Sequence, residues 1–143
     1  MSSLIIASDH AGFALKEDLI AHLTDKGQSV RDLGPSSDAA VDYPEYAHAA
    51  CFEILAAGSL GILVCGTGIG MSIAANRHPG IRAALCTYEF QARAARQHNN
   101  ANILCLAARV SAPPLARTLV DAFLAASFTG GRHQRRLALI DPA

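Results

Sequence analysis

Five short apolar runs, each followed by a stretch of helical period, constrain this chain more than any other feature it has. Leu4-Ile5-Ile6-Ala7 has the continuity of a buried strand and ends in the polar Ser8-Asp9-His10. From Gly12 to Lys26, Leu15, Leu19, Ile20 and Leu23 read as one helical face opposite Lys16, Asp18 and Asp25, with Gly27 as the stop. Ser29 to Leu33 alternates like a strand and meets Gly34-Pro35. Pro44 opens the next helix, where its missing N–H costs nothing, and Ala47, Ala50, Cys51, Ile54 and Leu55 follow at helical spacing before Gly58. Leu60 to Cys65 reads as a central strand, leading through a glycine run into a short helix that ends near Asn76. A strand at Ile81–Cys86, a helix at Tyr88–Gln97, a strand at Asn102–Ala107 and a helix from Pro113 to near Ala126 complete the series. A last amphipathic segment, Arg132 to Ile140, follows Gly130-Gly131. Strict βα alternation predicts a parallel sheet covered on both faces, here a three-layer, Rossmann-like α/β/α sandwich with five strands and a C-terminal helix. No linker, repeat or low-complexity tract divides the chain, so residues 1–143 are expected to form one domain.

Composition narrows the partners. Apolar residues make up 51% and charged residues 17% of the 143, and the formal net charge is zero. That balance excludes a chain built to bind nucleic acid or an anionic membrane through its overall field, so any anion site must be local. The N-terminus lacks the basic start and apolar core of a signal peptide, and no apolar run approaches the length of a membrane span. The four cysteines are far apart with no C-x-x-C pair, which points to free thiols and a cytoplasmic location.

In parallel sheets of this kind, ligands bind beyond the carboxyl ends of the strands, near a topological switch point. The polar residues expected there are Asp9-His10, Cys65 through Gly70, Thr87-Tyr88 and Arg109. Cys65-Gly66-Thr67-Gly68-Ile69-Gly70 carries the most information. Its alternating glycines leave backbone N–H groups unshielded at a helix start, a nest for an anion or a developing oxyanion. It matches neither the dinucleotide fingerprint nor the Walker A pattern. The plainer reading is a tight turn that needs glycine for conformation alone. Cys65 ends its strand beside that positive terminus, where a thiol is more readily ionised, although an isolated cysteine at such a place is more often a small core residue. Cys51, Cys86 and Cys105 keep that core reading.

The run Gly130-Gly131-Arg132-His133-Gln134-Arg135-Arg136 is the second signal. On a helix Arg132 and Arg136 share a face and can grip a phosphate dianion together, with Arg109 as a third candidate. A solvated basic face is the alternative, and Arg135 fits it. The histidines show no metal-ligand spacing, so no metal is expected. His10 lies between a strand and a helix and suits an anion, while His98, in His98-Asn99-Asn100, is a candidate acid or base. His22, His48 and His78 read as surface or turn residues. Ser8, Asp9 and His10 do not form a triad, because successive strand residues face opposite ways.

Ser8-Asp9-His10-Ala11-Gly12-Phe13 with Leu15-Lys16, Asp42-Tyr43-Pro44, the Cys65–Gly70 run with Ile73-Ala74-Ala75-Asn76, Arg96-Gln97-His98-Asn99 and Gly130-Gly131-Arg132-His133-Gln134 resemble the ribose-5-phosphate isomerase B family. The likeness runs collinearly over nearly the whole chain. It implies interconversion of an aldose phosphate and a ketose phosphate through a cis-enediolate, with no metal or organic cofactor. By that resemblance Cys65 is the base, the Gly66, Gly68, Ile69 and Gly70 amides hold the enediolate oxygen with help from Asn99, and His98 opens the furanose ring assisted by Thr67. Asp9 and Tyr43 contact sugar hydroxyls, and His10, Arg109, Arg132 and Arg136 surround the phosphate with His133 nearby. One branch of the family uses a glutamate base at the position of Met71, which cannot serve. The resemblance also implies a homodimer or homotetramer with active sites shared between subunits and the C-terminal segment reaching a neighbour. Ribose 5-phosphate is the leading substrate, ahead of allose 6-phosphate, galactose 6-phosphate and a tetrose phosphate. Two rivals stand outside this reading: a non-catalytic sugar-phosphate-binding module, and a dinucleotide-dependent oxidoreductase that the glycine pattern disfavours.

Overall fold

The computed structural model describes residues 3–142. Its strands are β1 (Leu4–Ser8), β2 (Val30–Asp32), β3 (Gly61–Cys65), β4 (Ala83–Leu85) and β5 (Ile103–Ala107). They form one sheet in the order β2-β1-β3-β5-β4, with every pairing parallel. The helices are α1 (Phe13–Asp25), α2 (Tyr43–Ala57), α3 (Ile69–Ala75), α4 (Glu89–Asn99), α5 (Pro113–Ala125) and α6 (Arg132–Leu137). Among the described residues, no helix is long and apolar enough to cross a membrane.

The three central strands are buried along their whole length, as continuous apolar runs demand when both faces are covered. Their side chains alternate between two cores. Ile6, Ile62, Val64, Leu104 and Leu106 pack beneath α1, α4 and α5, whereas Ile5, Ala7, Leu63, Cys65 and Cys105 pack beneath α2 and α3. The chain leaves β1 toward β2 on one side and leaves β3 toward β4 on the other. The switch point therefore lies between the carboxyl ends of β1 and β3, where Asp9 and Cys65 emerge.

Three expectations needed correction. The outer strands, expected over Ser29–Leu33 and Ile81–Cys86, shrink to three residues each, because an edge strand has a pairing partner on one side only. Lys16, expected on the polar face of α1, is fully buried. It precedes Leu19 by three residues and Leu23 by seven, so helical period places it on the apolar face. The terminal segment forms a helix only over Arg132–Leu137, leaving Leu139 and Ile140 exposed beyond it.

Candidate active site

The site begins with two turns at the switch point. Asp9 leaves β1 with its N–H donating to the Val64 carbonyl (3.1 Å), and its carboxylate accepts the Gly12 N–H (2.9 Å) at the entrance to α1. Next to it, exposed His10 accepts the Val41 N–H on Nδ1 at 3.2 Å. That bond puts the proton of the neutral ring on Nε2, the nitrogen free to donate to an anion.

Cys65 ends β3 at 5% exposure, on the α2–α3 side of the sheet. Its carbonyl accepts from Ala108 and the Gly66 carbonyl from Arg109, both at 2.9 Å, so the loop is fastened to the end of β5. Close approach explains two of the glycines. A Cβ on Gly66 would sit 2.9 Å from Arg109 Nη1, and one on Gly70 would run into the Tyr43 ring. Arg109 and Tyr43 thus lie directly against the loop that follows the thiol. Gly68 takes a left-handed conformation, φ 75°, as the cap of α3. Thr67 Oγ1 accepts the Ile69 N–H at 3.3 Å. Among the described residues, the N–H groups of Thr67, Gly68, Gly70 and Met71 donate to no protein acceptor. A row of unpaired donors beside a thiol is equipped to hold an oxyanion.

The other thiols are of a different kind. Burial pushes Cys51 and Cys86 up to about 11 and Cys105 well above the ordinary thiol range, so all three stay protonated. Met71 is fully buried in the cluster that contains Cys65.

The remaining sequence-predicted residues assemble elsewhere. His98, Asn99, His133 and Arg136 line a hollow of about 350 Å³ with Leu137 and Ile140. The His98 and His133 rings stack at 4.6 Å between centroids and 14° between planes. Loss of solvation, then the neighbouring His98 and the cationic Arg132 and Arg136, hold His133 below the usual imidazole range. Among the described residues Arg109, Arg132 and Arg136 pair with no carboxylate. A larger hollow of about 650 Å³ adjoins Asn99 and contains Arg77 and Arg82, which sequence reasoning does not single out. The Arg82 guanidinium donates to the Asn100 and Gly80 carbonyls.

These two groups occupy opposite ends of one sheet. Helix α4 starts at the carboxyl end of β4 and runs back for 11 residues, about 16 Å, before delivering His98 and Asn99 near the start of β5. Asp9, His10, Tyr43, Cys65–Gly70 and Arg109 are therefore brought together, and His98, Asn99, Arg132, His133 and Arg136 are held apart from them within a single chain.

Comparison with known proteins gives the family of the chain. Residues 4–140 match the family described as Ribose/Galactose Isomerase. The chain belongs to that family. Membership makes it an aldose–ketose isomerase by class. It is 44% identical over 142 residues to ribose-5-phosphate isomerase B of Escherichia coli, covering 98% of this chain and 95% of that one. The crystal structure of a ribose 5-phosphate isomerase from Thermotoga maritima superposes with a TM-score of 0.96 at 53% identity, covering 99% of this chain and 98% of the other. Ribose-5-phosphate isomerase B from Mycoplasma genitalium, solved with bound ribulose-5-phosphate, gives a TM-score of 0.92 at 46% identity, covering 96% and 93%. The fold is thus matched across nearly the full length of this chain and of each of the two solved relatives.

Proposed function

We propose that this chain interconverts ribose 5-phosphate and ribulose 5-phosphate without a metal, using Cys65 as the base, in sites shared by two copies. One observation carries the reading: unpaired loop amides lie beside Cys65, while the histidine and arginine cluster that would complete the site sits at the other end of the same chain.

The chemistry asks for little more. Once the ring is open, the Cys65 thiolate removes the proton from C2 and returns it to C1, while the hydroxyl proton passes from O2 to O1. The carbonyl thereby moves from C1 to C2, and no net oxidation occurs. Charge on the enediolate oxygen meets the amides of the Cys65–Gly70 loop, where each fixed donor contributes typically a few kcal/mol to the transition state. Asp9 and Tyr43 hold sugar hydroxyls. His10 and Arg109 face the phosphate from one subunit, and Arg132 and Arg136 of the partner subunit close on it, with His133 of the partner subunit beside them. His98 of the partner subunit, with Thr67, opens the furanose, and Asn99 of the partner subunit supports the enediolate. Phosphate contacts far from the reacting carbons fix the substrate's position, so binding energy is spent on rate.

The surface supports such an assembly. Phe52, Leu55, Ile69 and Ile73 are exposed on the α2–α3 face, between the two half-sites. A two-fold axis across the strands there sets the carboxyl end of one sheet against the opposite end of the other, twice. A homodimer is the smallest assembly that completes both sites. Four buried free thiols suit a cytoplasmic location.

The test is an assay of ribose 5-phosphate turnover in chelator, with allose 6-phosphate alongside. Efficient, chelator-resistant turnover of ribose 5-phosphate is expected. Phosphosugar binding without turnover would replace the enzyme reading with that of a binding module, and inhibition by chelator would replace the metal-free mechanism.

A further inference from the structure

Lys16 is the largest fully buried side chain that the mechanism leaves unused. All three of its ammonium hydrogens are taken: Nζ lies 3.0 and 2.9 Å from the two oxygens of Asp32 and 2.9 Å from Glu17. The Phe13 ring covers the ammonium, 5.1 Å from its centroid. Burying a cation is costly unless every donor is satisfied, so a lysine here needs a reason that an apolar residue would not supply.

Its connections suggest one. The Lys16 N–H donates to the Gly12 carbonyl (2.8 Å), and the Gly12 N–H donates to Asp9. At the far end of the side chain, Asp32 also accepts the Gly34 N–H at 2.8 Å, and the Gly34 carbonyl accepts the Ser8 N–H at 3.1 Å. Lys16 therefore ties the turn bearing Asp9 and His10 to the start of the β2–α2 loop. The same loop reaches back further along, where Val41 donates to His10 Nδ1.

We propose that Lys16 is a positioning residue that, through Asp32, holds the β2–α2 loop where Val41 keeps His10 in its Nε2–H form, aimed at the phosphate. This rests on the reading of His10 as a phosphate contact. The ion pair clamps the base of the loop and the His10–Val41 bond clamps its rim, so loosening the first releases the second. Fixing a tautomer before binding removes a conformational cost that the ligand would otherwise bear.

The experiment uses the full chain and two readouts that need no turnover. Two-bond proton–nitrogen correlation at pH 8 reads the His10 tautomer, and calorimetric titration with inorganic phosphate reads the anion site. Wild type is expected to show Nε2–H alone at His10. Lys16→Met is expected to show a mixture of tautomers and about tenfold weaker phosphate binding. In a His10→Gln background the same substitution should cause no further weakening, which a general structural defect would not reproduce. Asp32→Asn, at a half-exposed position, serves as the second variant and decides the matter if Lys16→Met does not fold. An unchanged tautomer, or equal weakening with and without His10, overturns the proposal. Failure of wild type to isomerise ribose 5-phosphate, with the tautomer still moving with Lys16, removes the substrate assignment and leaves the positioning role standing.

Discussion

At the scale of single residues, Cys65 differs from the other cysteines in the residues that come after it. Cys51, Cys86 and Cys105 lie inside strands, helices or their flanks with apolar neighbours, and burial holds their thiols protonated. Cys65 alone ends a central strand and opens onto free amide donors. Cys65→Ala is therefore expected to lower kcat at least a thousandfold, roughly the order associated with losing a nucleophile or base, while inorganic phosphate binds within about twofold of wild type. Steady-state kinetics and calorimetry on one preparation check both parts, and activity above roughly a tenth of wild type would remove Cys65 as the base. The residue scale is also where the sequence is most legible. A cysteine before alternating glycines, and two arginines four apart, stand out as candidates by spacing, while their roles come from the family resemblance. Lys16 runs the other way: residue type assigns a charged side chain to solvent, although its interval to Leu19 and Leu23 places it inside.

At the scale of elements, helix faces and central strands are legible because apolar period sets both. Edge strands are not, because half of their pairing is missing and composition alone does not locate their ends. Contacts between elements distant in sequence are beyond reach as well. His48 on α2 and His78 after α3 read as surface residues, yet His48 Nδ1 and His78 Nε2 lie 2.7 Å apart, with Phe52 edge-on to His78 at 5.4 Å. Loss of solvation and the neighbouring His48 hold His78 below its usual value of 6.5 in the folded chain. The unfolded chain then binds more protons as pH falls through 6.5, so the folded state loses stability on acidification and levels off once His78 protonates in both states. Thermal unfolding at about pH 7.5 and pH 5.5 is expected to show a larger drop in Tm for wild type than for His78→Gln. Equal drops would assign the acid sensitivity to other groups.

At the scale of the whole molecule, the proposed sharing of sites between two copies is open to a complementation test. In a mixture of Cys65→Ala and His98→Ala chains, half of the randomly formed dimers are mixed. Each mixed dimer has one site with both defects and one with neither. Two inactive preparations, unfolded and refolded together, are therefore expected to recover roughly one quarter of wild-type activity. Absence of recovery, with mixed dimers verified by mass spectrometry, would place Cys65 and His98 in the same chain's site. No sequence pattern shows that the two motifs separate, since only the direction of α4 relative to the sheet carries one of them away.

The strand order has a consequence for how such a molecule is made. Strand β4 pairs with β5 alone, and β5 must enter the sheet between β3 and β4 although it is synthesised after both. The turn after Cys65 is fastened to Ala108 and Arg109, and Gly68 packs against the Leu106 backbone. On the ribosome, the thiol and its glycines emerge about 40 residues ahead of the segment to which their turn is fastened. A nascent chain arrested before β5 clears the exit tunnel holds every atom of the Cys65–Gly70 loop and neither of the bonds that fasten it to Ala108 and Arg109.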